Sequence, residues 1–203
     1  MNRLRRAFLT IALLAPVALA DAAESEPIHV VKFIDFGCSV CRESELLDPP
    51  IRAEVERSGG RFVVAPLPRG RNNARERFYY ALRELGPDLE VRVRMSMYRG
   101  AQDLGYPLAD VPQTLDWLQS ELTSDPIDWP RMIEAVEGPG PHAAVDRAVA
   151  LAVRGGVQVV PAYALVRGSR VITTLDPKSV PNGELSALRE AVLNALRQAK
   201  SAK

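Results

Sequence analysis

Cys38 and Cys41 are the two cysteines of this 203-residue chain, and they stand three positions apart in FGCSVC. Such a pair can exchange disulfides, supply half a metal site or staple the chain. A staple gains most when it closes a long loop, and this one closes almost none. Zinc takes about four ligands. Besides the cysteines the chain offers His29 and His142, at spacing that suits no shared ion. Redox exchange is left as the favoured chemistry. It needs an accessible thiolate and a second thiol placed to resolve the mixed disulfide. A helix N-terminus favours a negative sulfur, and one turn later lies a shielded partner. Cys38 is the expected nucleophile and Cys41 the resolving cysteine, with no cofactor and no metal.

The elements around the pair must present it in that way. IHVVKFIDF is β-branched and aromatic, apolar at nearly every position from Val30 to Phe36, as in a central strand covered on both faces. Gly37 breaks the run, and CSVCRESELL begins a helical pattern that Asp48-Pro49-Pro50 should kink or interrupt. IRAEVERSGG resumes the helix and stops on glycine, and RFVVAPLP reads as a second strand. Strand, helix and strand with short links make a βαβ unit.

Residues 72–154 are helical in pattern, with expected stripes of Phe78, Leu82 and Leu85, of Leu115, Leu118 and Leu122, and of Val145, Val149 and Ala152. PRMIEAVEG is a short further helix, and RGAQDLGYPLADVP and EGPGP read as loops. VQVVPAYALV and RVITTL flank Arg167-Gly168-Ser169 as a hairpin. A last helix buries Leu185, Leu188, Val192 and Leu196, with Asn182 as its expected cap.

The first twenty residues read as an address. Arg3, Arg5 and Arg6 precede an apolar run from Ala7 to Ala20 that ends in Ala18-Leu19-Ala20, the pattern of a cleaved secretory signal. Pro16 argues against a spanning anchor, RRAFL leaves twin-arginine export open beside the general route, and a mitochondrial presequence ranks behind both. Removing residues 1–20 takes three arginines and no acid, leaving 23 basic against 25 acidic residues. That balance gives no reason to expect nucleic acid as a partner. Export implies a periplasmic location in which paired thiols persist.

The order β-α-β, helices, β-β-α is α/β. With C-x-x-C at the first strand-to-helix junction and GVQVVP (156–161) opening the third strand, it resembles the thioredoxin superfamily. The helices placed between the two halves make it similar to the DsbA-like thiol-disulfide oxidoreductases. The resemblance implies a thioredoxin-like fold divided as signal peptide 1–20, first part 21–71, inserted helical subdomain 72–154 and second part 155–203. It implies a cis peptide between Val160 and Pro161 facing Cys38, and those two residues as the substrate-binding edge. Unfolded or maturing cysteine-containing proteins would be the partners, and a membrane redox protein would reset the pair.

Two departures bear on potential. Ser39-Val40 stands where oxidising relatives usually carry Pro-His, and Lys32 stands where many relatives bury an acid. Lys32 either brings its ammonium toward a sulfur or snorkels from the strand end. Asp35 reads as an end-of-strand polar group rather than a proton relay, and Arg69, Arg71, Arg75 and Arg77 as a solvated face. His29 reads as a surface residue and His142 as a helix-start residue, and Trp117 and Trp129 should pack among the helices. The leading function is an exported disulfide oxidoreductase. A reductase or isomerase on the same fold, and a non-catalytic peptide-binding assembly factor, remain as alternatives.

Overall fold

The apolar run after residue 27 forms the central strand β1 (Ile28–Ile34), whose Val30, Phe33 and Ile34 are fully buried. This computed structural model describes residues 26–70 and 72–201, so the expected signal peptide and Arg71 lie outside the described residues. β1 pairs in parallel with β2 (Phe62–Pro66) and antiparallel with β3 (Ala162–Arg167). β4 (Arg170–Leu175) completes a sheet of order β2-β1-β3-β4. The β3–β4 hairpin turns at Gly168, with φ +57°. The element order is the thioredoxin-like one expected from the sequence.

Between β1 and β2 the chain makes α1 (Ser39–Glu43), a 3₁₀ turn (Ser44–Leu47) and α2 (Asp48–Arg57). The break therefore comes before the prolines. Pro49 and Pro50 lie in the first turn of α2, where a missing N–H costs nothing and the fixed φ favours the helix. Gly60 then carries the chain to β2 so close to β1 that a Cβ would lie 2.0 Å from the Ile28 carbonyl oxygen.

Five helices separate β2 from β3: α3 (Ala74–Leu82), α4 (Pro87–Tyr98), α5 (Val111–Glu121), α6 (Trp129–Glu137) and α7 (Pro139–Arg154). Asp110 and Asp128 cap α5 and α6, accepting from the backbone N–H groups of Gln113 and Arg131. Several expected details shift. EGPGP is not a loop, because α7 begins at Pro139. RGAQDLGYPLADVP opens with a π turn, Arg99–Asp103. Leu85 is 56% exposed, since a 3₁₀ turn at Arg83–Leu85 rotates it off the face that holds Phe78 and Leu82. Val149 also faces out, and Val145, Ala148 and Ala152 form the buried stripe of α7. The final helix, α8 (Leu185–Ser201), buries Leu188, Val192 and Leu196 against α2, β1 and β4. Asn182 does not cap it; it sits upstream in a turn with φ +56°. Trp117 is buried and Trp129 packs on the core's edge, as expected.

Glu76 in α3 is fully buried, and its carboxylate has no hydrogen-bond partner among the described residues, with Arg75 Nε 4.0 Å away. Burial pushes its carboxyl up to about 7. A carboxyl raised on folding binds more protons in the native state, so stability falls as pH rises from about 4.5 to about 7. Glu76→Gln removes that charge and is expected to stabilise the protein at pH 8 by about 1–3 kcal/mol while changing little at pH 4. Urea titrations at the two pH values read this directly. An equal effect at both would show that the charge is not the cost.

Candidate redox site

The site starts where β1 ends. Phe36 is fully buried and packs edge-on against Tyr79 and Tyr98, at centroid distances of 6.0 and 5.6 Å, which ties the loop to α3 and α4. The next residues turn tightly: Asp35 accepts from the backbone N–H of Gly37 at 2.6 Å through its carboxylate and from that of Cys38 at 3.0 Å through its carbonyl. Cys38 thereby becomes the N-cap of α1. Its backbone is extended (φ −96°, ψ 112°), and its sulfur accepts the Cys41 backbone N–H at 3.1 Å. Sulfur here does what a serine or aspartate oxygen does at other helix starts.

Both cysteines are thiols in this structure; Cys38 is partly exposed and Cys41 fully buried. Hydrogen bonding from the Cys41 thiol, helped by the Cys41 backbone N–H, brings Cys38 down to about 7 against the opposing effect of burial. Asp35 raises it slightly and Arg69 lowers it. The bond to Cys38 and burial hold Cys41 far above the ordinary thiol range, with Lys32 giving a small opposing pull. The two sulfurs are thus chemically unequal, one ready to ionise and one kept as a thiol.

The Val160–Pro161 peptide is cis, and the Cys38 thiol donates to the Val160 carbonyl at 3.6 Å. The expected neighbours therefore meet across 122 positions of sequence. β3 begins only at Ala162, which is buried and paired with Phe33, so it offers no open edge. The accessible backbone is residues 157–160, lining a groove of about 410 Å³ together with Cys38, Leu67 and Arg69.

Lys32 neither snorkels nor reaches Cys38. It is fully buried, with Nζ 2.9 Å from Asp48 and 3.2 Å from Glu45, and Tyr163 donates to Asp48 at 3.1 Å. Arg94 reaches Glu45 at 3.0 Å and is paired with Glu90. Asp48, pushed up to about 6 by burial, is held back by Lys32 from rising further. The buried acid is present after all, supplied by α2 while the strand supplies the base.

The fold is DsbA-like. The chain is similar to Pseudomonas aeruginosa DsbA, with a TM-score of 0.67 and 18% identity, over 92% of this chain and 90% of that one. It is similar to the oxidoreductase NmDsbA1 from N. meningitidis, with a TM-score of 0.65 and 13% identity over 88% of each. The oxidoreductase DsbA from Xylella fastidiosa gives a TM-score of 0.64 and 16% identity, over 88% and 89% of the two chains. No family model and no curated protein matches the sequence. The likeness is therefore one of architecture, and the DsbA-like order of elements is what brings C-x-x-C to the Val160–Pro161 peptide.

The remaining candidates disperse. Asp35 follows the last residue of β1, as expected of an end-of-strand polar group, and Arg69 Nε donates to it at 2.7 Å. The expected arginine face comes apart, since Arg77 is largely buried and reaches the Val136 carbonyl, Arg75 lies near Glu76 and Arg71 lies outside the described residues. His29 accepts the Arg61 backbone N–H, and His142 lies on α7, 3.0 Å from Arg77; neither approaches the cysteines. Among the described residues no group of three His, Cys, Asp or Glu is arranged to hold a metal ion. Asp48 was traceable in principle. A lysine in a strand buried on both faces requires an anion from the helix packed over it.

A thiolate of this kind gives a direct pH signature. Alkylation of Cys38 is expected to accelerate through a midpoint at about pH 7, while Cys41 stays unreactive below pH 9. Mass spectrometry of carbamidomethylated peptides separates the two. Equal labelling of both at pH 7 would contradict the inequality of the sulfurs.

Proposed function

We propose that the protein is an exported thiol-disulfide oxidoreductase that exchanges disulfides with cysteines of extracytoplasmic proteins. The observation that carries this reading is the Cys38 sulfur: partly exposed, capping a helix, bonded by Cys41 and set beside the Val160 carbonyl. In the oxidised form a substrate thiolate attacks Cys38 Sγ, breaking the Cys38–Cys41 bond and forming a mixed disulfide. A second substrate thiolate then displaces Cys38. The substrate dithiol becomes a disulfide, and two electrons and two protons are left on the cysteine pair. An extended substrate segment along residues 157–160 would present its cysteine to that sulfur. A membrane redox partner would take the electrons and reset the pair. The Arg-rich apolar N-terminus supports export to the periplasm, and no helix among the described residues is long and apolar enough to cross a membrane.

The potential is set by how far the reduced pair is favoured over the disulfide. Thiolates at such helix ends have pKa values from about 3.5 to about 7.5, and the lower the value, the more the reduced form is favoured. Cys38 at about 7 lies at the weak end. The test is to equilibrate Cys38–Cys41 with glutathione while assaying oxidation of a reduced protein substrate. Disulfide donation to the substrate supports the oxidase, and a strongly negative potential supports the reductase alternative. No exchange by an accessible pair would leave only the non-catalytic peptide-binding reading.

A further inference from the structure

After α4 the chain makes the π turn Arg99–Asp103, which Leu104 closes by donating its N–H to the Arg99 carbonyl at 3.3 Å. Turns of this kind are uncommon and concentrate at functional sites. Gly100 lets it sit on α5, since a Cβ there would lie 2.7 Å from Trp117 Nε1. That indole N–H donates at 2.9 Å to the Ser96 carbonyl, in the last turn of α4. So held, the turn directs two consecutive side chains at the two ends of α1. Gln102 Nε2 donates to the carbonyls of Phe36 and Cys38, at 2.8 and 3.1 Å. Asp103 pairs with Arg42 at 2.6 Å.

The two carbonyls belong to the peptide units that lead into α1. The Cys38 carbonyl also accepts the first helical bond, from the Arg42 N–H, at a long 3.3 Å, so the helix alone holds it weakly. A trans peptide is planar, with N–H opposite C=O. Fixing the Cys38 carbonyl therefore fixes the Ser39 N–H, one of the donors a helix start presents. An amide donor also offsets the partial negative charge of carbonyl oxygens beside a thiolate.

We propose that Gln102 is a positioning residue of the redox site: by holding the Phe36 and Cys38 carbonyls it aims the donor end of α1 at Cys38 and so sets how readily that thiol ionises. The proposal rests on the reading of Cys38 as the sulfur that forms and releases the mixed disulfide. It links reactivity to a segment 64 residues away that bonds the Cys38 carbonyl.

The test compares Gln102→Met, similar in length but without donors, with the unaltered full chain. Alkylation of Cys38 by iodoacetamide is followed against pH, with thermal melting of the oxidised and reduced forms alongside. The midpoint is expected to rise by about one pH unit, which is tenfold less thiolate at pH 5, and the pair to become harder to reduce by glutathione at pH 9. A purely structural contact would lower both melting temperatures alike and leave the midpoint in place, and that result overturns the proposal. Gln102→Lys returns a donor of similar reach and should bring the midpoint back to that of the unaltered chain or below. A Lys variant as slow as the Met variant also overturns it. Failure of the unaltered protein to exchange with glutathione would instead refute the oxidoreductase reading, and the alkylation midpoints would still decide the role of Gln102.

Discussion

Cys38→Ser is expected to reduce disulfide exchange to the uncatalysed rate, whereas Cys41→Ser should leave attack intact and stall at the next step. Exchange requires a thiolate, and a serine hydroxyl stays protonated at neutral pH. Cys41 is buried and held as a thiol, so it cannot substitute as the attacking group. In Cys41→Ser the hydroxyl keeps a donor toward Cys38, and the backbone N–H at that position is unchanged. The Cys38 thiolate should remain favoured and attack oxidised glutathione, keeping one half as a persistent mixed disulfide while the other half leaves as a thiolate. Cys41→Ala lacks the donor, and its Cys38 should titrate higher, because that side-chain bond is the largest influence lowering it. Non-reducing electrophoresis and intact mass read all three variants. Residual turnover in Cys38→Ser comparable to the unaltered chain would move the chemistry elsewhere.

The second large effect is on stability. Lys32→Met takes away the ammonium that faces Asp48 and Glu45 inside the protein. Removing one partner of a buried pair typically costs about 3–5 kcal/mol, because the remaining charge is left without compensation. The cost should depend on pH in a stated direction. The Asp48 carboxyl is raised on folding to about 6, so the native state binds more protons than the unfolded chain between about 4 and 6, and stability declines as pH rises through that window. Without Lys32 the carboxyl rises further and the decline extends to higher pH. The variant should therefore be close to the unaltered protein near pH 4 and most impaired at pH 8. Denaturant titrations at both values give the comparison, and a loss under about 1 kcal/mol at pH 8 would contradict it. Lys32→Met combined with Asp48→Leu should recover much of the loss, since an apolar pair carries no desolvation cost.

What the sequence disclosed follows from how local each signal is. The strand at Val30–Phe36, the cysteines at a strand-to-helix junction and the hairpin at Gly168 depend on near neighbours, and each was legible. The Val160–Pro161 placement came only through resemblance to a known family, because nothing within ten residues of Cys38 points to it. Leu85 and Val149 were misplaced for a phase reason: a 3₁₀ turn or a small shift of helix rotation moves a residue off a stripe that periodicity alone extends straight. The loop assigned to EGPGP failed because proline inside a helix and proline at its first turn have opposite meanings. Gln102, Arg69 and Glu45 belong to contacts across long stretches of chain, and polar residues in such contacts carry no periodic signature.

The sheet order also says when the site can exist. β1 is flanked by β2, whose paired residues lie 32 positions downstream, and by β3, which is made from residues 162–167. Pairings that distant form slowly, because the ends of a long loop must meet before any contact rewards them. A chain emerging from its N-terminus would thus hold both sulfurs long before the segment that shelters one flank of Cys38 has been synthesised. Until then β1 keeps an unpaired edge and the dithiol lacks its chaperoning carbonyl. An N-terminal fragment ending before residue 157, which lacks both β3 and the Val160 carbonyl, should accordingly show indiscriminate oxidation and association, where the full chain shows one reactive sulfur.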